Sequence, residues 1–291
     1  MASGGAAFRA VRPLLGTMVE VELEGDLPRA DMAELAGRAF ARVRGVRDLM
    51  SWHDPDSELT RVNRHALRGD VQVSPDTARV LRAALELSRA TDGRYDVTVA
   101  PALVRRGRLP GHGLTARHAD WTAVELAGNR VRFLRDVAVD LGGIAKGYAV
   151  DAAFETVDAL APELRDIRVN AGGDLRRKTW RGGTVGLRHP RGLLGGGRMQ
   201  VVAHPMLAEA VATSVPGHGT AASRWVDPAT GRERRPGAAS VFAPTCMAAD
   251  ALTKAVLAGA ATPELMKSYS ARAVVPGERT HPEATCEEMA A

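Results

Sequence analysis

The chain has 291 residues, of which 45% are hydrophobic, so it can bury the core of one large domain or of two small ones. Its formal net charge is +5, but the arginines are scattered over every segment and aromatic residues make up only 4%, which argues against nucleic-acid binding. The two cysteines, Cys246 and Cys286, are too few for a disulfide framework or a zinc site, although their number allows a single bridge.

No segment of the chain indicates export or membrane insertion. Residues 1–15 lack the continuous apolar stretch of a signal peptide and contain no cysteine that could carry a lipid. No apolar run reaches the length of a membrane span. We therefore expect a cytoplasmic protein without a membrane span, unless a leader has been removed.

The first half of the chain predicts a strand, two long helices and a small antiparallel sheet. Residues 17–23 alternate apolar and polar side chains as a half-buried strand does, and residues 31–50 repeat apolar side chains at helical spacing. Ser74 is a good N-cap and Pro75 suits the first helical position, so a second helix is expected to run from there to about Thr91. The strands of the small sheet are expected over residues 121–126, 130–134 and 137–140.

The second half of the chain alternates between strands and helices. Helices are expected over residues 146–160 and 247–257, and strands over residues 165–170, 240–243 and 271–275. Several short strands are expected between residues 184 and 212, with a loop at residues 194–197. This order favours an α+β fold, with mixed, mainly antiparallel sheets and helices packed against them, over a doubly wound parallel sheet.

The sequence predicts a single domain. Neither an internal repeat nor a Ser- or Pro-rich linker divides the chain, so we expect one domain over residues 14–275. Residues 1–13 are expected to form a mobile N-terminal segment, and residues 276–291 a mobile polar tail.

Two glycine pairs, Gly142–Gly143 and Gly172–Gly173, each follow a short apolar run. Glycine has no Cβ and adopts backbone angles closed to other residues, so each pair lets an anionic ligand approach the main chain. A helix is expected directly after the first pair, and its unpaired amides and positive dipole end would face that ligand. The pattern predicts a phosphate site, but neither a P-loop nor a dinucleotide fingerprint is present.

An ordered series of motifs gives the chain a resemblance to a known family. The motifs lie at residues 51–63, 92–98, 140–151, 170–174, 212–214, 227–231 and 249–252. In this order they resemble the ApbE family of FAD:protein FMN transferases, over about residues 14–275. Each glycine pair alone would indicate little, and the order of the whole series makes the resemblance specific.

The resemblance implies an ApbE-like α+β domain that transfers FMN from FAD to a threonine or serine hydroxyl of a separate target flavoprotein and releases AMP. Splitting a diphosphate requires positive charge on its oxygens, so Mg²⁺ is expected beside the substrate FAD. By resemblance the metal ligands are the Asp250 carboxylate and the main-chain carbonyl of Ala145. A helix N-terminal aspartate favoured by the dipole is the structural alternative for Asp250.

The resemblance also assigns residues to the flavin and its phosphates. They are Ser57, Glu58, Tyr95, Asp96, Gly142, Gly143, Lys146, Asp151, Gly172, Gly173 and Asp174. Structural roles explain several of them equally well, since Tyr95 can simply pack and Asp174 can stabilise a turn. Glu58, with Asn63, can belong to a turn and a helix start, and Asp151 to a solvated helix face.

Three residues depart from the family pattern near the expected reaction centre. Arg224 occupies the position of a family histidine proposed to help activate the acceptor hydroxyl, and arginine cannot act as a base at neutral pH. Lys254 replaces a metal-ligand threonine, with Thr253 one position earlier, and Val215 replaces a glycine.

Two hypotheses follow from these departures. In the first, Arg224 and Lys254 neutralise part of the diphosphate charge themselves, so that FAD binds with little or no magnesium and transfer is slow or absent. In the second, Lys254 points to solvent and Thr253 coordinates the metal after a modest rotation of the helix, with Asp227 or Asp250 as the base.

The sequence thus predicts a magnesium-dependent FAD:protein FMN transferase with Asp250, Arg224, Lys254 and Asp227 at the reaction centre. The alternatives are an FAD pyrophosphatase, in which water replaces the protein hydroxyl, and a noncatalytic FAD-binding protein. We expect no nucleic-acid partner, and the sequence identifies neither the acceptor protein nor the oligomeric state.

Overall fold

The computed structural model describes residues 6–179, 182–190, 199–206, 209–214, 225–228, 230–234 and 237–275. Its strands are β1 (Ala6–Leu14), β2 (Thr17–Gly25), β3 (Val71–Gln72), β4 (Val124–Ala127), β5 (Arg130–Phe133), β6 (Asp166–Ala171), β7 (Asp174–Thr179), β8 (Gly183–Pro190), β9 (Met199–Met206), β10 (Ala210–Ser214), β11 (Trp225–Val226), β12 (Glu233–Arg234), β13 (Ala239–Ala243) and β14 (Arg272–Val274).

Among the described residues, the α-helices are α1 (Arg29–Met50), α2 (Glu58–His65), α3 (Pro75–Ala90), α4 (Ala100–Arg105), α5 (Ala145–Leu160), α6 (Cys246–Leu257) and α7 (Pro263–Ser268). A 3-10 helix lies at Trp121–Ala123. Within the described part of the chain, every helix is too short or too polar to cross a membrane.

A seven-stranded sheet in the order β1-β2-β6-β7-β10-β13-β14 forms the centre of the molecule, and every neighbouring pair is antiparallel. The helices α1, α5 and α6 pack against it and against one another in that order. A separate three-stranded sheet has the order β3-β5-β4, and the pairs β8-β9 and β11-β12 each form a two-stranded sheet. The α+β fold that the sequence predicts is confirmed.

Strand β2 shows why the apolar pattern predicts this core. Val19, Val21 and Leu23 are all buried on the helix-covered side, whereas Glu20 and Glu22 alternate with them. The two glutamates pair with arginines of the neighbouring strands, Glu20 with Arg9 and Glu22 with Arg168. One face of the sheet therefore carries the core and the other carries charged cross-strand pairs.

Three segments to which the sequence assigns a conformation adopt another one in the structure. The sequence alone predicts a mobile segment over residues 1–13, but residues 6–13 belong to strand β1, which pairs with β2. Residues 121–123 form a 3-10 helix, because the Asp120 side chain accepts from Thr122 N and caps it. Residues 137–140 are not a strand, and the Asn63 side chain takes the place of a strand partner by bonding both the amide and the carbonyl of Val139.

Two other predicted segments lie entirely outside the described residues. The expected loop at residues 194–197 and the expected tail at residues 276–291 both do so. The sequence analysis describes Glu58 and Asn63 only as residues of a turn and a helix start, whereas the structure places both in the helix α2.

Candidate functional site

One cleft brings together residues from four separate parts of the chain. It has a volume of about 450 Å³ and lies between residues 95–108, the turn at residues 140–143, the β11–β12 hairpin and α6. The residues that line it are Tyr95, Asp96, Val97, Val99, Leu103, Arg108, Asp140, Gly142, Gly143, Val226, Pro228 and Lys254. Four of the predicted flavin residues therefore share this cleft with Lys254.

The Gly142–Gly143 turn forms one wall of the cleft. A Cβ placed on Gly143 would lie 3.7 Å from Lys254 Cε and 3.7 Å from Tyr95 Cε2. Neither glycine has a positive φ. The turn therefore does not use the left-handed backbone that the sequence analysis expects, and a Cβ at Gly143 would make only ordinary van der Waals contacts with its neighbours.

The start of α5 after this turn is largely satisfied within the protein. Ala145 N donates to Leu141 O at 2.8 Å, and Gly147 N donates to Asp250 Oδ2 at 3.1 Å. The expectation of a helix start whose amides await an anion is therefore only partly right, because two of the first amides already have acceptors.

Asp250 is fully buried on α6 and has two kinds of partner. Besides the amide of Gly147, its carboxylate forms an ion pair with Lys254, one helical turn further along. Lys254 Nζ also donates to the main-chain oxygen of Asp250 at 3.1 Å. The side chain of Lys254 is one quarter exposed, so it runs from buried Asp250 to the surface of the cleft.

Asp151 joins α5 to α6 at a buried position. Its two carboxylate oxygens accept from the amides of Cys246 and Met247, each at 2.8 Å, and Arg176 donates to the same carboxylate. Burial raises the pKa of Asp151, and the Arg176 guanidinium opposes that shift. Asp151 does not line the cleft, and it is not on the solvated helix face that the structural alternative assumed.

Lys146, whose side chain is one third exposed, forms an ion pair with buried Asp174 near Asp250. Burial raises the pKa of Asp174, to which the charge of Asp250 adds, while the Lys146 ammonium lowers it. Burial alone would lower the pKa of Lys146, but the Asp250 and Asp174 carboxylates raise it above its usual value. Asp250 and Asp174 thus form, with Lys254 and Lys146, a cluster of two carboxylates and two ammonium groups.

Thr253, the alternative metal ligand, is turned to the sheet. It is fully buried, its hydroxyl donates to Asp250 O at 2.7 Å, and it forms a 2.7 Å hydrogen bond with Ser214 Oγ of β10. Its hydroxyl therefore already bonds protein oxygens on both sides.

The residues that the resemblance assigns to Mg²⁺ do not fit this ion as they stand. Magnesium requires an octahedral set of oxygen ligands. The Asp250 carboxylate is held between Gly147 and Lys254, and the Thr253 hydroxyl is held by Asp250 O and Ser214. Ala145, whose carbonyl is the third expected ligand, is the first residue of α5. In the described ranges no group of three or more His, Cys, Asp or Glu side chains could hold a metal.

The predicted flavin residues before α3 hold the structure together away from the cleft. Ser57 caps α2 by accepting from Thr60 N, and the Glu58 carboxylate accepts from both Ser74 N and Ser74 Oγ at 2.8 Å. Asn63 bonds Val139 and so positions the segment that leads to Gly142. None of these three side chains lines the cleft.

Gly172 and Gly173 form the two-residue turn between β6 and β7. Their φ angles are +65° and +111°, which favour glycine, and Asn170 Oδ1 accepts from Gly173 N at 3.0 Å. A Cβ on Gly172 would lie 2.5 Å from Thr17 Oγ1. This pair is not part of the cleft wall, and it places Asp174 at the start of β7, where Asp174 reaches Lys146.

Tyr95 and Asp96 both lie in the cleft wall, but different interactions hold their side chains in place. Tyr95 is 7% exposed and packs beside Gly143. Asp96 Oδ1 accepts from Thr98 N and Thr98 Oγ1, and Oδ2 accepts from Trp121 N, so Asp96 organises its own turn. Burial raises the pKa of Asp96 despite these hydrogen bonds.

Asp227 lies between the cleft-lining residues Val226 and Pro228 in the β11–β12 hairpin, and its Oδ1 accepts from Thr230 N at 3.1 Å. Of the three departures from the family pattern, Lys254 lines the cleft, whereas Arg224 and Val215 lie outside the described residues.

Sequence reasoning did not single out two charged residues of the cleft, Asp140 and Arg108. Asp140 Oδ1 accepts from Gly142 N at 3.2 Å, and burial raises its pKa. Its place directly before the glycine pair was a signal that could have found it. Arg108 pairs with Glu233 of β12 across 125 residues, and no local pattern indicates such a contact.

The sequence model of the ApbE family matches residues 15–274. This chain belongs to the ApbE family. The match covers the cleft, Asp250 and Lys254 together, and it confirms the resemblance that the motif series carries.

Relatives of the ApbE family that are similar to this chain carry the name FAD:protein FMN transferase. The protein of Vibrio cholerae serotype O1 is 29% identical over 84% of this chain and 79% of its own length. The protein of Haemophilus influenzae is 31% identical over 47% of this chain and 44% of its own length.

Solved ApbE structures share the fold. The flavin transferase ApbE of Vibrio cholerae has a TM-score of 0.78 at 24% identity, covering 93% of each chain. The flavinyl transferase ApbE of Pseudomonas stutzeri, in its apo form, has a TM-score of 0.79 at 20% identity, covering 96% of this chain and 94% of that one. At these identities the likeness supports the fold alone.

Proposed function

We propose that this protein transfers FMN from FAD to a threonine or serine hydroxyl of a separate flavoprotein and releases AMP. The observation that carries the proposal is the cleft whose wall is shared by Gly143, Tyr95 and Lys254. The names of the relatives favour this transfer over a pyrophosphatase or a noncatalytic FAD-binding protein.

The chemistry of the cleft suits a flavin nucleotide. A volume of about 450 Å³ lies in the range of small-molecule sites, which combine apolar walls with a few polar groups. Val97, Val99 and Leu103 provide an apolar wall for a ring, and Tyr95 offers the edge or face of an aromatic side chain. Lys254 provides a positive charge for the phosphates.

The proposed step balances as a phosphoryl transfer. The acceptor hydroxyl oxygen forms a bond to the phosphorus atom of the FMN half of FAD. The bond from that phosphorus to the bridging oxygen breaks, and AMP leaves with the bridging oxygen. The hydroxyl proton passes to a base, and the product is an FMN phosphoester on the acceptor.

We assign the base to Asp227, the more accessible of the two predicted carboxylates. Asp250 is fully buried and paired with Lys254, so it is poorly placed to accept a proton from an entering hydroxyl. Asp227 is partly exposed and follows a residue of the cleft wall. Magnesium is not part of this proposal, because the described residues do not fit it.

The test is incubation of the protein with FAD and a panel of flavoprotein domains that carry threonine or serine at their flavin site. AMP together with flavin fluorescence that survives denaturation of the acceptor supports the transferase. AMP with free FMN indicates a hydrolase, and bound, unchanged FAD indicates a binding protein. Either of these two results overturns the proposal.

Asp227→Asn tests the assignment of the base. It should lower the rate of transfer by about 100- to 10,000-fold and leave FAD binding in place. Glu34→Gln on the exposed side of α1 is the matched carboxylate-to-amide control and should keep the wild-type rate. Wild-type transfer by Asp227→Asn would exclude Asp227 as the base.

A further inference from the structure

We propose that the Lys254 ammonium takes the electrostatic role of the divalent cation at Asp250, so that this site binds the FAD diphosphate without a metal ion. The proposal rests on the proposed function and specifies how its substrate is held. It follows from the place of Lys254, which stands four residues after Asp250, where the resemblance puts a metal-ligand threonine.

The first step of the argument is the contact between the two residues. The side chain of Asp250 is 1% exposed, and removing the partner of a buried carboxylate is strongly unfavourable. Lys254 Nζ contacts both Asp250 Oδ1 and Asp250 O. A positive charge therefore already lies at one of the two carboxylate oxygens that a metal bound to Asp250 would use.

The second step concerns the donors of Lys254. An ammonium group has three N–H donors, and the hydrogen bonds to Asp250 within the described part of the chain use two of them. The stem of Lys254 runs beneath Gly143, with Cγ and Cε at 3.8 and 3.7 Å from the position of a Gly143 Cβ. Because Lys254 also lines the cleft, its third donor is available to a phosphate oxygen there.

The third step is the balance of charge. Asp250 and Asp174 each have a lysine partner, Lys254 and Lys146 respectively. A divalent cation added to this arrangement would lie beside ammonium groups that repel it, and it would compete with Lys254 for the Asp250 carboxylate. A diphosphate added to the cleft instead meets an ammonium group that is already fixed in place.

The experiment is a titration of FAD against the full-length protein, followed by flavin fluorescence, once in EDTA and once in excess Mg²⁺. Wild-type affinity should change by less than about threefold between the two conditions, which is well under 1.4 kcal/mol. Loss of FAD binding by the wild type in EDTA, with recovery in Mg²⁺, would overturn the proposal and leave the proposed function intact. Absence of FAD binding in both conditions would overturn the proposed function itself, and the proposal with it.

Substitutions of Lys254 make the test specific. Lys254→Thr frees the Asp250 carboxylate and supplies a hydroxyl, so its FAD affinity should fall about tenfold or more in EDTA and recover in Mg²⁺. Lys254→Arg keeps the charge and should bind FAD equally in both conditions. Equal binding by Lys254→Thr and the wild type in EDTA would overturn the proposal.

Direct metal binding gives an independent readout. Mn²⁺ alone, followed by its paramagnetic resonance signal, should remain free in the presence of the wild type and become bound by Lys254→Thr. Tight Mn²⁺ binding at Asp250 by the wild type, lost in Asp250→Asn, would contradict the proposal.

Discussion

Asp151 on α5 and Asp250 on α6 each accept hydrogen bonds from the first turn of the other's helix. Asp151 takes the amides of Cys246 and Met247, the first two residues of α6, and Asp250 takes the amide of Gly147 in the first turn of α5. A negative charge at a helix start stabilises the helix by satisfying unpaired amides and by interacting with the helix dipole. The two helices therefore cap each other.

Loss of this mutual capping should destabilise the protein. Asp151→Asn keeps one acceptor oxygen but places an N–H donor against a backbone amide and removes the charge that faces Arg176. We expect a loss of about 1–3 kcal/mol in the free energy of unfolding, measured by urea denaturation. Asp158→Asn is the matched control on the same helix, because its ion pair with Lys178 is partly exposed and should contribute about 0–1 kcal/mol. Equal losses in the two variants would contradict the capping role.

Gly147→Ala should separate α5 from α6. A Cβ at Gly147 would lie 2.3 Å from Cys246 O and 2.8 Å from Asp250 Cβ, so the two helices would have to move apart. We expect a loss of about 1–3 kcal/mol in thermal unfolding experiments, together with weaker FAD binding. Gly45→Ala in α1 is the control, since its Cβ would meet nothing within 4 Å and should stabilise the protein by about 0.5–1 kcal/mol. A neutral Gly147→Ala would show that this contact is not tight.

Asn63→Ala should loosen the segment that leads into the cleft. The substitution leaves the amide and carbonyl of buried Val139 without the Asn63 partners, which costs about 1–3 kcal/mol. Asn63→Asp keeps the acceptor for Val139 N but places a carboxylate oxygen against Val139 O, so it should destabilise the protein as well. FAD affinity and unfolding free energy should fall together across the two variants. An unchanged FAD affinity in Asn63→Ala would show that the Gly142–Gly143 turn does not depend on this contact.

Asp76 should make stability depend on pH in the acidic range. The Arg42 guanidinium donates to both oxygens of Asp76 at 2.7 Å and lowers its pKa, against the opposing effect of burial. Because the folded pKa lies below the unfolded value of about 4, the pair stabilises the protein above that pH. This contribution is lost as the pH falls through the folded pKa.

Urea unfolding at a series of acidic pH values measures this effect. Wild-type stability should fall on acidification, and Asp76→Asn should show a shallower decline from a lower starting stability. Parallel declines in the two proteins would assign the acid sensitivity to other groups.

Local patterns predict much of the fold. The alternation of Val19, Val21 and Leu23 is sufficient to recognise β2, and Ser74 with Pro75 marks the start of α3, where the structure has it. Residues 137–140 have the composition of a strand, but their polar partner is Asn63, 76 residues earlier. No local pattern reveals that a side chain will replace a neighbouring strand.

The candidate site was predictable to a similar degree. The motif series identifies Tyr95, Asp96, Gly142 and Gly143, which the structure brings into one cleft. The same series does not separate residues of the cleft from Asp151, which connects elements, because that difference depends on contacts about a hundred residues apart. Helical spacing alone puts Lys254 beside Asp250, but only the packed structure shows their ion pair.

Mutual capping also has a consequence for the order in which the chain assembles. The amide of Gly147 finds its acceptor 103 positions later, and Asp151 finds its donors 95 and 96 positions later. Neither helix start is complete until both segments have been synthesised and have met, and contacts this distant along a chain form slowly. The hydrogen bonds around Asp250 therefore cannot form before α6 has left the ribosome.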